Sequence, residues 1–149
     1  MNTTLESGEG AGFMQQVDLA DRHGHTQLMV AAREGKLAEV ADLLNRGASL
    51  LARSEKGKTP LHYAAANGRV EVVQLLLSKG AEVDPRDKDG HTPLMLAANY
   101  GCDQTILALI RQGADPLAMS HSGSTAMAYA EHNQHPETLR LLMKALAAS

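Results

Sequence analysis

The sequence predicts an all-α fold: a solenoid of stacked helix-turn-helix units joined by β-turn and hairpin-like loops. Three observations carry that expectation. Gly-x-Thr recurs at a step of 33 residues, with Gly24, Gly57, Gly90 and Gly123 each two residues before Thr26, Thr59, Thr92 and Thr125. Ala31, Ala64, Ala97 and Ala130 keep the same register, as do Gly35, Gly68 and Gly101, while Gly47-Ala48, Gly80-Ala81 and Gly113-Ala114 close the first three units. Aromatic residues make up only 3%, with no Trp, which suits a thin core of Leu, Ala, Val and Met between layers. So strict a step marks a repeat array, whose core grows unit by unit because one unit cannot bury its own apolar face.

Taken in order, residues 1–12 are short, polar and Gly-rich, and read as a disordered segment before a domain spanning 13–149. Phe13, Met14 and Val17, at helical spacing within the Phe13–Leu19 stretch, are expected to cap the open edge of the first unit. Four units follow, at about 21–53, 54–86, 87–119 and 120–149. The second shows the logic. Thr59 is an N-cap whose hydroxyl can accept from an orphan amide, and Pro60 follows where its missing N–H costs nothing. Leu61, Ala64 and Ala65 form a narrow apolar stripe, and Gly68 ends the helix in the left-handed conformation. A second helix is expected from about Val70 to Ser78, with Val70, Val73, Leu76 and Leu77 inward, stopped by Gly80. From Ala81 to Gly90 the chain runs extended into a turn with Asp first and Gly fourth. Asp21, Ser54, Asp87 and Ser120 begin the four turns, and their side-chain oxygens can bond the turn backbone.

The end units depart from this pattern, as expected where one face meets water. The first has Gln27 for Pro and Met29 for His; the fourth has Ala126, Ala128 and Gln134 in place of Pro, His and Gly. Asn133 is expected to take the left-handed turn in place of Gln134. Pro136 and Glu137 suit the start of the last helix, about Pro136–Leu146, with Leu139, Leu142, Met143 and Leu146 inward.

The middle units read GKTPLHYAAA from Gly57 and GHTPLMLAA from Gly90. In these residues the chain resembles the ankyrin repeat family, whose hallmark is Thr-Pro-Leu-His-x-Ala in a 33-residue unit. Four in-phase copies across roughly 21–148 make the resemblance specific. It implies a non-catalytic protein-protein interaction module whose partner lies in a concave groove lined by turn tips and outer ends of first helices. Carried over position by position, it places Arg22, His23, His25, Arg33, Glu55, Lys56, Lys58 and Asn67 in that groove. Lys88, Asp89, His91, Asn99, Tyr100, His121, Ser122 and His132 complete the set. Along the tips Arg22, Arg53, Lys56, Lys58, Arg86 and Lys88 outnumber Glu55 and Asp89. A groove so charged would steer a partner protein with an acidic surface or segment. Tyr100 is the candidate anchor, because Tyr is enriched at energetic hot spots.

Other function classes find little support. The net charge of −3 gives no polycation for nucleic acid, and the basic tips lack interleaved aromatics for stacking bases. No apolar run approaches the roughly 20 residues that span a bilayer. The polar start offers no signal-peptide core, so a cytoplasmic monomer is expected. Cys102 is the only cysteine, at the start of a second helix, a place where a thiol pKa can be lowered. No Gly-rich phosphate loop, His-Glu-x-x-His helix or Cys-x-x-Cys pair occurs, and no catalytic residues are expected. The seven histidines, His23, His25, His62, His91, His121, His132 and His135, raise the question of a metal. Layers about 8–10 Å apart keep most of them from sharing one ion, so no metal or cofactor is expected. The alternative is an accessory role in handling a cofactor or metal, such as haem, or in protecting an oxidative-stress enzyme. Small single-domain proteins that resemble this one are in places associated with oxidative-stress enzymes such as catalase and with haem supply.

Overall fold

The computed structural model describes residues 16–148 and contains eight α-helices among them. They are α1 (Gln27–Glu34), α2 (Leu37–Asn45), α3 (Pro60–Ala66), α4 (Val70–Ser78), α5 (Pro93–Asn99), α6 (Asp103–Arg111), α7 (Ala126–His132) and α8 (Pro136–Ala148). They form four antiparallel pairs, and each pair stacks on the next. Among the described residues there is no strand, only an isolated antiparallel bridge between Ala20 and Thr26. The segment 1–12 lies outside the described residues, as do Phe13 and Met14 of the expected edge cap. Val17 is buried in the core, whereas Leu19 is exposed.

Each first helix starts as its sequence dictates. Thr26, Thr59, Thr92 and Thr125 have extended backbones, and each hydroxyl accepts from the amide three residues on. Asp21 and Asp87 accept from the amides two and four residues on; Ser54 and Ser120 accept from the amide four on. Each turn closes with a Gly N–H donating to that first residue, as Gly90 does to Asp87. At Gly90 only glycine fits: φ is +79°, and a Cβ would meet the His121 amide nitrogen at 2.8 Å.

The first helices α1, α3, α5 and α7 pack against one another more extensively than the second helices do. Small side chains permit this. Ala31, Ala32, Ala64, Ala65, Ala97, Ala98 and Ala130 are all buried, while the second-helix layer is filled by Val40, Leu43, Val73, Leu76, Ile106, Leu109 and Leu142. A narrow layer beside a wide one curves the stack toward the first helices.

Several expectations need correction. In α4 the buried residues are Val72, Val73 and Leu76, while Val70 and Leu77 are only half-buried. Val72 faces the preceding unit. Thr105 and Thr138, at the same register, are buried likewise, but Glu39 in the first unit has no described unit before it and is exposed. In α8 Thr138 and Leu142 are buried and Met143 is 55% exposed, because Met143 points where a fifth unit would stack. That helix also runs on to Ala148. Gln134 itself adopts φ 60°, whereas Asn133 keeps φ −94°. The backbone needs the left-handed residue one place later than Asn133 stands.

Candidate partner-binding groove

The turn tips and first helices form one face, on which the units are tied together by a rail of backbone bonds. The amides of Glu55, Lys88 and His121 donate to the carbonyls of His23, Lys56 and Asp89 in the preceding unit, at 2.8–3.0 Å. Two arginines add to it. Arg53 Nη1 donates to the Gly57 and Arg86 carbonyls, and Arg86 Nη1 donates to those of Gly90 and Met119. These two cations therefore serve the stack rather than standing free at the tips.

Lys58 is likewise committed. Its Nζ lies 2.6 Å from Asp87 Oδ2, and the Asp87 side chain is fully buried. Burial pushes the Asp87 pKa up, but the Lys58 ammonium and the amides of His91 and Asp89 outweigh it, and the net pKa is lowered. His62 is buried beside this pair. Its Nδ1 accepts from the Thr59 amide at 3.0 Å and its Nε2 lies 2.8 Å from the His91 carbonyl. Only the neutral Nε2–H tautomer satisfies both, and burial lowers the pKa to about 4. Asp21 is held at about 2, chiefly by the His25 amide.

Two open hollows lie along this face. The first, about 380 Å³, is lined by His23, His25, Ser54, Glu55, Lys56, Lys58 and Tyr63. The second, about 340 Å³, is lined by Lys56, Lys58, Ala66, Asp89, His91, Met95, Leu96, Asn99, Tyr100 and Tyr129. In the first, the His25 ring meets Tyr63 edge-on, and His23 Nδ1 lies 3.5 Å from Glu55. In the second, His91 Nε2 lies 2.9 Å from the Tyr129 hydroxyl, and Tyr100 is 60% exposed.

Other expected site residues lie outside both hollows. Arg22 and Lys88 are exposed at the tips, and neither makes an ion pair among the described residues. Arg33 is half-buried, and its carbonyl accepts from Arg69. The Asn67 amide donates to the Tyr63 carbonyl. His121 and His132 are exposed, and Ser122 bonds Ser120 and Ser124 within its own turn. Residues missed in the sequence are Ser54, Tyr63, Met95, Leu96 and Tyr129, which complete the walls with Ala66, an expected outer-end residue of its helix. A signal for the tyrosines existed: Tyr63 and Tyr129 stand 66 residues apart, as do His25 and His91, which touch them.

Asp87, Asp89 and His91 bring three possible metal-ligand atoms within 4.8 Å of one another. Asp87 already accepts from an ammonium and two amides, so a cation there would have to displace Lys58. At Cys102, burial and then Asp103 raise the thiol pKa, overriding any lowering by the helix start. No helix among the described residues is long and apolar enough to cross a membrane.

A search among curated proteins gave no match. A family model described as ankyrin repeats, in three copies, matches residues 5–87 and again 82–148. With the capped helix pairs, the 33-residue register and the stacked turns in place, this chain belongs to the ankyrin repeat family.

Proposed function

We propose that the chain is a non-catalytic module that binds a partner protein in the groove between its turn tips and first helices, and that the partner presents acidic groups there. Ankyrin repeats are generally protein-protein interaction modules. The observation that carries the finer reading is the pair of adjoining hollows on one rigid face, with Tyr100 exposed in one of them. A face held by backbone bonds loses little entropy when it binds.

The electrostatic part is narrower than a count of the tips implies. Asp21 and Asp87 stand in the same turns, and Lys58 is paired. Arg22, Lys56 and Lys88 remain to meet acidic groups, giving a modest gain in on-rate that salt should erase. The reading takes the protein as a cytoplasmic monomer, consistent with one half-buried thiol whose pKa is raised.

The test is capture of binding proteins by the parent chain, by Lys56→Glu/Lys88→Glu/Tyr100→Ala, and by Gln74→Glu/Gln112→Glu on the second-helix side. Lys58 is left untouched because its loss would strand Asp87. Each change should alter stability by less than about 0.5 kcal/mol, checked by thermal melting. A partner lost only from the first variant is the expected result. Loss only from the second would refute the groove reading.

A further inference from the structure

We infer that the groove takes an extended segment of a partner protein in one register: a single carboxylate at Lys56, with a bulky apolar side chain about three residues away in the hollow beside Tyr100. This rests on the groove reading above and adds the chemistry of the ligand. Lys56 and Lys58 line both hollows, so they form the saddle between them. Of the two ammonium groups, that of Lys58 is held by Asp87, while Lys56 makes no ion pair among the described residues. The Lys56 backbone is fixed, because its carbonyl accepts from the Lys88 amide. A ligand crossing the saddle therefore meets one unpaired ammonium, borne on a side chain whose root is fixed.

The flanks of that saddle are acidic. Glu55 lines the first hollow and Asp89 the second. Further carboxylates on either side of the first would face them, and like charges brought together are costly. The site selects a lone acidic residue with neutral or basic neighbours, and it rejects an acidic run. In the second hollow the His91 ring and the Tyr129 hydroxyl satisfy each other, leaving half-buried Ala66 and Leu96 and the exposed Tyr100 to offer apolar contact. Units stack about 8–10 Å apart. An extended chain covers about 3.3–3.6 Å per residue, so one step along the stack takes about three residues.

The experiment is selection of a phage-displayed random peptide library on the full chain. Recovered peptides are then synthesised with a fluorophore and titrated by anisotropy. The expected motif is one Asp or Glu spaced about three residues from Trp, Phe, Leu or Met, without a second acid beside it. Lys56→Glu should weaken such a peptide about tenfold, and Tyr100→Ala by a similar factor. Repeating the selection on Lys56→Glu should replace the acid by Lys or Arg. Peptides that lose binding with Tyr100→Ala but carry no lone acid, or carry an acidic run, overturn this inference and leave the groove reading standing. Peptides indifferent to both substitutions overturn both. An empty selection, or a Tyr100-dependent dimer in sedimentation, overturns the inference, the dimer by naming a second copy as the occupant.

Discussion

The contact between units two and three differs in kind from that between units three and four, although the backbone rail is the same in both. At the inner contact, Lys58 and buried Asp87 form an ion pair, and His62 reaches the His91 carbonyl from a buried site. At the outer contact the polar links are neutral or exposed, apart from the buried Thr138 hydroxyl, which donates to the Asp103 carboxylate. His91 meets the Tyr129 hydroxyl, Asn133 donates to Asn99, and His135 reaches the Asn99 carbonyl. One 33-residue step on, the positions of Lys58, His62 and Asp87 are occupied by His91, Met95 and Ser120. A contact covered on both sides can hold a charge pair whose loss is costly, whereas one beside the open end uses groups that tolerate water. Because the rail needs no particular side chain, the two contacts could diverge without loss of stacking.

The largest expected effect comes from removing the charge at the inner contact. Lys58→Met leaves Asp87 buried with only amides and His91, and should cost about 3 kcal/mol by urea unfolding. His91→Met, its counterpart at the outer contact, removes a neutral bond to Tyr129 and should cost about 1 kcal/mol. Equal losses would erase the distinction.

Next comes pH. His62 binds a proton at about 6.5 when unfolded but only at about 4 when folded. The unfolded state therefore holds more protons between those values, and stability falls as pH drops through that window. The loss should reach about 2 kcal/mol by pH 5. It is unchanged above pH 7, and it precedes the loss from Asp87, whose lowered pKa places its effect below 3.8. His62→Met, which supplies the residue found at Met29 and Met95, should flatten the curve. A parent curve already flat between pH 7 and 5 would show that His62 protonates without cost.

Smaller effects belong to the outer contact. Tyr129→Phe removes the hydroxyl that links His91 and Ser120, and should cost about 1 kcal/mol. Gln134→Gly should stabilise by about 1 kcal/mol, since φ 60° is a conformation glycine adopts without strain. Thermal melts would reveal either sign.

Much of the fold was legible because local chemistry repeats. The Thr caps, the Asp and Ser turn residues and the left-handed glycines are set by bonds within a few residues, and all stand as the sequence implied. What the sequence hid depends on the neighbouring unit. Val72 is buried and Met143 exposed because burial follows which side of a helix has a unit beside it. Arg53, Arg86 and Lys58 read as surface charge, yet their partners lie 29 to 33 residues away, across the stack. The groove walls were half-legible. His23, His25, Lys56, His91, Asn99 and Tyr100 sit in the hollows, while Met95 and Leu96 carry no sequence signal for a wall.

The most direct test of the groove is photo-crosslinking with benzoylphenylalanine at Tyr100, and separately at Gln74 on the second-helix side, in cells that express the protein. The account predicts one partner adduct from position 100 that disappears when Lys56→Glu is added, and none from position 74. Adducts from position 74 alone would place the partner on the opposite face and contradict it.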